Sequence, residues 1–121
     1  MKAGEFVMKL MHARTTAHIL HLRSRSYSQH MALFTLYDEL PELADTYTEV
    51  YQGQYGLIAG YPPRYTPAET PQELVKDVLT YIASERQAGE LYAKEDTHLS
   101  NIVDEIVALF RQTQYKLENL K

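Results

Sequence analysis

Residues 33–73 read LFTLYDELPELADTYTEVYQGQYGLIAGYPPRYTPAETPQE, and the contrast between the two halves of this stretch decides the fold. The first half repeats apolar residues at heptad spacing: Leu33, Leu36, Leu40, Leu43, Tyr47 and Val50. On a helix such a repeat gathers all six on one side. It predicts a helix from about Tyr27 to Gln52, started by Ser24 or Ser26, either of which can cap it. Pro41 lies inside that helix. A proline there lacks the N–H for one backbone hydrogen bond and predicts a kink or a short break. The second half changes character. Gly53, Gly56, Gly60, Pro62, Pro63 and Pro67 suit turns, so residues 53–69 read as a linker. Tyr55, Tyr61 and Tyr65 within it predict that the linker packs on the body of the protein. Thr70-Pro71-Gln72-Glu73 then starts a helix: Thr caps, Pro occupies the first helical position, and Glu reaches back. The linker is long enough to cross the length of a bundle.

Outward from this stretch the same period continues. Upstream, Phe6, Leu10, Ala13, Ala17 and Leu20 form the core stripe of a first helix, and Arg23 to Ser26 is a polar break. A second line on that helix, Val7, Met11, His18 and Leu22, lies about 120° from the first. Downstream, Leu74, Val78 and Ile82 carry a third helix to about Tyr92, with Gly89 near its end. Asp96-Thr97 opens a fourth, whose apolar face is Leu99, Ile102, Val103, Ile106, Leu109, Phe110, Leu117 and Leu120. The reading is all-α: one domain over 1–121, a four-helix bundle with helices near 5–23, 26–52, 70–92 and 96–120, and a ferritin-like long crossover.

Composition narrows the function. A chain of 121 residues with 45% hydrophobic residues makes one domain with a real core. The absence of cysteine excludes a disulfide framework, a thiolate metal site and a cysteine nucleophile. The net charge is -4, and Lys2, Lys9, Arg14, Arg23 and Arg25 are few and scattered, so DNA is not an expected partner. Neither a signal peptide nor an apolar run of membrane length is visible, which predicts a soluble, cytoplasmic protein. No phosphate-binding loop, dinucleotide turn or serine-nucleophile motif is present.

The second helix carries the informative side. Asp38, Glu42, Asp45 and Glu49 recur by four, three and four residues, about 200° from the leucine stripe. A solvated acidic face is the plain reading. Tyr27, Met31 and Phe34 share that outward side, however, and large apolar residues there suggest a partner surface. With the second line of the first helix they predict a two-fold homodimer. Imidazole and carboxylate together suit a first-row metal ion, and His18, His30, Asp45 and Glu49 are the right types. Because the two acids point away from their own bundle, they would meet His18 and His30 only across such a dimer.

The spacing of these residues resembles a known signature. His18, eleven residues, His30, fourteen residues, Asp45, three residues and Glu49 match in type and spacing the motif of the Dps family, the starvation-induced DNA-protection proteins. Residues 95–102, EDTHLSNI, look like the opening of the last Dps helix, and the similarity runs from His18 to the C-terminus. The chain also resembles small ferritin-like proteins encoded by tailed phages. The resemblance implies a homodimer within a twelve-subunit shell, and iron (Fe2+/Fe3+) at the two-fold interface, with zinc as the alternative ion. It implies ferroxidase and iron-storage activity, with His18 and His30 of one chain and Asp45 and Glu49 of another as ligands and catalytic residues. Phe34 departs from the pattern by standing where Dps proteins carry a further Asp, Ile19 stands where they carry Trp, and the lysine-rich DNA-binding tail is missing. The competing reading is a non-catalytic helical scaffold or regulatory binding protein, phage-encoded, that keeps the dimer and not the metal chemistry. Glu95 and His98 read as a helix-start acid with a nearby surface His, and His21 as a boundary residue.

Overall fold

The computed structural model describes residues 1–63 and 66–121, and among these it contains four helices and no strand. They are α1 (Ala3–Arg23), α2 (Tyr27–Tyr55), α3 (Pro71–Gln87) and α4 (Thr97–Asn119). Local chemistry explains where each begins. The Ser26 hydroxyl accepts the Gln29 N–H at 3.3 Å and caps α2. Thr70 caps α3 by accepting the Glu73 N–H at 3.1 Å, Pro71 follows it, and the Glu73 carboxylate reaches back to the Glu69 N–H at 3.2 Å. At the far end of α2, Gly56 takes a φ of 91°, which ends the helix.

Three contacts set the helix directions. The tight turn at Ser24 makes α1 and α2 antiparallel. The start of α1 meets the end of α3, where the Lys2 N–H donates to the Glu90 carbonyl at 2.7 Å and the Tyr81 hydroxyl donates to Glu5 at 2.9 Å. The end of α2 meets the start of α4 through Gln54 and Asp96, and the start of α2 meets the end of α4, where Ser28 donates to the Leu120 carbonyl at 2.8 Å. The order is therefore up, down, down, up. Each of α1 and α4 packs on both α2 and α3. Phe6, Leu10, Leu33, Leu36, Leu40, Tyr47, Ile82, Leu99, Ile106 and Phe110 fill the space between them.

The crossover from α2 to α3 returns over α1. It presses hardest at Gly4, where a Cβ would lie 1.9 Å from the Gly60 carbonyl oxygen, so only glycine fits. Further along, Pro67 and Ala68 lie beside Thr16, Ile19 and Leu20. Tyr65, expected to help pack this linker, falls outside the described residues.

Some expectations need correction. Pro41 neither breaks nor shortens α2, which runs unbroken for 29 residues. Leu40, Ala44 and Tyr47 are buried on both sides of the proline and hold the two halves on one core. The third helix stops at Gln87, not near Tyr92, because Gly89 turns out with a φ of 73° and Leu91 folds back into the core. Val7 belongs to the core and not to an outward line, whereas Leu120 is exposed. Among the described residues, no helix is long and apolar enough to cross a membrane.

Candidate functional site: the outward face of the first two helices

The turn between α1 and α2 brings three histidines together with the rings of Phe34 and Tyr37. His21, in the last turn of α1, and His30, one turn into α2, stack at 3.6 Å with 21° between their planes. Each ring is tied to the other residue's backbone. His21 Nδ1 donates to the His30 carbonyl at 2.7 Å, and His30 Nδ1 donates to the His21 carbonyl at 3.0 Å. A carbonyl can only accept, so the proton of each neutral ring sits on Nδ1 and its Nε2 carries the lone pair. His18 stacks flat on Tyr37 at 4.1 Å. Phe34 meets Tyr37 edge-on at 5.4 Å and leans on His21 at 6.0 Å. This cluster joins the two helices through rings and reciprocal hydrogen bonds, which fixes the turn as firmly as a longer loop could not.

The residues that the spacing singled out separate into two groups. His18 and His30 lie in the cluster. Asp45 and Glu49 stand exposed on α2 three and more turns away, with Asp45 across the α1–α2 groove from Arg14. Among the described residues, no three His, Asp or Glu side chains within one chain approach closely enough to hold an ion. The His21–His30 pair is not itself a chelate. Rings stacked so closely send their in-plane lone pairs along nearly parallel planes, and those cannot converge on one ion. Phe34, in place of a carboxylate, puts a ring where another ligand would be needed.

Two features escaped the sequence reading. His21 is buried, not a boundary residue, and is the partner that orients His30. Its place four residues after Ala17, on the core stripe, was the available signal. The second feature is a polar clasp at the opposite end of α2. Asp96 is buried and accepts hydrogen bonds from Gln54 Nε2 at 2.7 Å, from the Tyr55 hydroxyl and from the Ala93 N–H at 3.0 Å. His98 Nε2 pairs with Gln54 Oε1 at 2.6 Å. The Tyr55 hydrogen bond, then that from Gln54, holds the Asp96 carboxyl below its ordinary value. This clasp is built from groups that satisfy one another and leaves no donor turned outward from the carboxylate.

The outward side of α1 and α2 also carries exposed apolar residues. Leu22 is 69% exposed, Tyr27 78%, Met31 37% and Phe34 38%, and Met11 stands out from α1 on the same side. Where α1 and α2 part, a shallow depression of about 310 Å³ opens between Leu10, Met11, Pro41 and Ala44, with Arg14 and Asp45 at its rim. These features define an all-helical protein with exposed apolar residues on one face of two adjacent helices. The chain belongs to a family of unknown function, DUF5856, whose family model matches residues 21–117. It is 28% identical over 121 residues to the "uncharacterized 14.6 kDa protein in mobD-ri intergenic region" of Enterobacteria phage T4, covering 96% of this chain and 88% of that protein. No solved structure matches it.

This membership corrects the expectation of a Dps-family protein. The physical reason lies in how the shared spacing arises. Acids four apart are what any solvated helix face presents. The two histidines nine residues apart, His21 and His30, are used here to lock a helix turn, and His18 serves as a stacking partner for Tyr37.

Proposed function

We propose that this protein is a non-catalytic helical scaffold, a small phage accessory protein that associates with itself through the outward face of α1 and α2. The observation that carries this reading is the exposure of the large apolar residues Leu22, Tyr27, Met31 and Phe34 on two adjacent helices. Support also comes from the relative in phage T4, which places a similar chain in a phage genome. A helix of 29 residues is about 43 Å long, enough to supply the roughly 800 Å² per partner of an ordinary stable interface. The up-down-down-up order with one long crossover is the connectivity of ferritin-like bundles, and we read the fold that way. Sedimentation analysis tests the function. Wild type is expected to be a dimer and Phe34→Asp a monomer with unchanged circular dichroism, because the substitution buries a charge in the contact. A wild-type monomer sinks the proposal.

One observation favours a second reading, metal binding across the same dimer. Both Nδ1–H groups of the His21–His30 pair are held by backbone carbonyls, the arrangement that orients a metal-binding imidazole through its Nε2. On that reading His18 and His30 meet Asp45 and Glu49 of the second chain around iron or zinc. Titration of the dimer with zinc, or anaerobically with ferrous ion, separates the two. If Asp45→Asn with Glu49→Gln removes a binding step that wild type shows, the metal reading holds; equal, weak binding by both leaves the scaffold.

A further inference from the structure

We infer that self-association pairs α2 antiparallel with α2 of a second copy in one register, seating Tyr27 of each chain in the α1–α2 depression of the other. The inference rests on the scaffold reading above and adds the identity and register of the partner. Its ground is that the two ends of the contact face are opposites. At the N-terminal end of α2 the surface is basic and protruding: Arg23 and Arg25 are exposed, and Tyr27 stands clear of its neighbours at 78% exposure. Toward the C-terminal end it is acidic and recessed. Asp38, Glu42, Asp45 and Glu49 are exposed there, and the depression has a floor of buried Leu10 and Ala44. Among the described residues, none of these arginines and acids takes part in an ion pair within the chain.

A parallel pairing would set acid against acid. An antiparallel two-fold pairing sets each end against its complement, and the knob and the hollow then fix the register. Tyr27 and Asp45 lie equally far along α2 on either side of the level of Leu36. So do Met31 and Pro41, while Arg23 and Arg25 lie in the turn beyond the N-terminal end of α2. A two-fold axis at that level therefore puts Tyr27 over the depression between Arg14 and Asp45 of the partner subunit. There its ring covers the apolar floor, and its hydroxyl reaches the carboxylate or its face meets the guanidinium. The same axis puts Met31 on the partner's Pro41 and brings the turn carrying Arg23 and Arg25 toward the acidic end of the partner's α2. Phe34 comes opposite the partner's Asp38, whose carboxylate meets the positive edge of the ring. Two independent properties, a knob matched to a hollow and a basic end matched to an acidic one, thus select one arrangement.

Charge exchange tests the register directly. Variant one carries Arg23→Glu and Arg25→Glu; variant two carries Asp45→Arg and Glu49→Arg. All four positions are exposed, so circular dichroism is expected to stay unchanged. Each variant alone sets like charges together twice per dimer and is expected to weaken association on the order of tenfold or more. Mixing the two turns every repulsion into an attraction, and native mass spectrometry should find the heterodimer restored. A second measurement uses the lack of native cysteine. Tyr27→Cys with Asp45→Cys should oxidise to a covalent dimer, since within one chain these positions are about 27 Å apart along the helix, far beyond disulfide reach. A dimeric wild type whose variants show no preferential mixing and no cross-link overturns the register while leaving self-association standing. A monomeric wild type overturns both.

Discussion

Asp96 shows how one buried side chain does structural work that a motif cannot announce. It stands just before α4, where an acid usually caps the helix, yet its side chain makes no cap hydrogen bond. The carboxylate turns instead to Gln54, Tyr55 and the Ala93 N–H, and so binds the end of α2 to the start of α4. These hydrogen bonds favour the charged form and hold its pKa below the ordinary value of 3.8. A carboxylate with a lowered folded pKa contributes stability above its unfolded value and loses it as pH falls through the folded one. Wild type should therefore lose stability as pH drops below about 4, and Asp96→Asn should show a shallower dependence in that range. At neutral pH the variant should also be weaker, because an amide accepts less strongly and its NH2 faces the Ala93 N–H. Denaturant melts at a series of pH values check this; parallel slopes for the two proteins would remove Asp96 from the account.

At the level of elements, the crossover and α1 depend on each other. Gly4 is the second residue of α1, where alanine would ordinarily be the better helix residue. Here a Cβ would lie 1.9 Å from the Gly60 carbonyl oxygen and 3.1 Å from Ile58 Cγ2, so backbone must move. Gly4→Ala is thus expected to lower the melting temperature despite its better propensity, and to raise hydrogen exchange in residues 57–61 before any other segment. A higher melting temperature would mean that the crossover lifts off α1 without cost. Proline tells the converse story in α2. Pro41 removes one hydrogen bond, but the helix is held by Leu36, Leu40, Ala44 and Tyr47 against its neighbours, and the loss stays local.

For the whole molecule the balance is between a closed core and one open face. The core side of each helix is filled, and the polar ends are tied by the clasp at Asp96 and by the stacked histidines at the opposite end. Among the described residues, the outward α1–α2 side leaves Met11, Leu22, Tyr27, Met31 and Phe34 exposed together. If a second copy covers them, folding and association are linked, and the melting temperature should rise with protein concentration. Phe34→Asp should melt at one temperature whatever the concentration. Differential scanning calorimetry over a wide dilution range reads both; a wild type with no concentration dependence would argue that the face stays bare.

The sequence by itself determined the helices. Heptad leucines in α2, the Thr70 cap with Pro71, and the glycine- and proline-rich linker are local signals, legible because helix periodicity and capping depend on neighbours within a few residues. The outward position of Tyr27, Met31 and Phe34 was legible for the same reason. Only the tertiary structure decided which histidines act together. His18, His21 and His30 belong to two helices, and their stacking depends on the turn geometry that sets α1 against α2, which no spacing encodes. It alone showed that Pro41 is absorbed, that Gly89 ends α3 early so that Leu91 returns to the core, and that Asp96 clasps α2. Each of these outcomes is set by contacts between residues far apart in the chain, where packing overrides local preference.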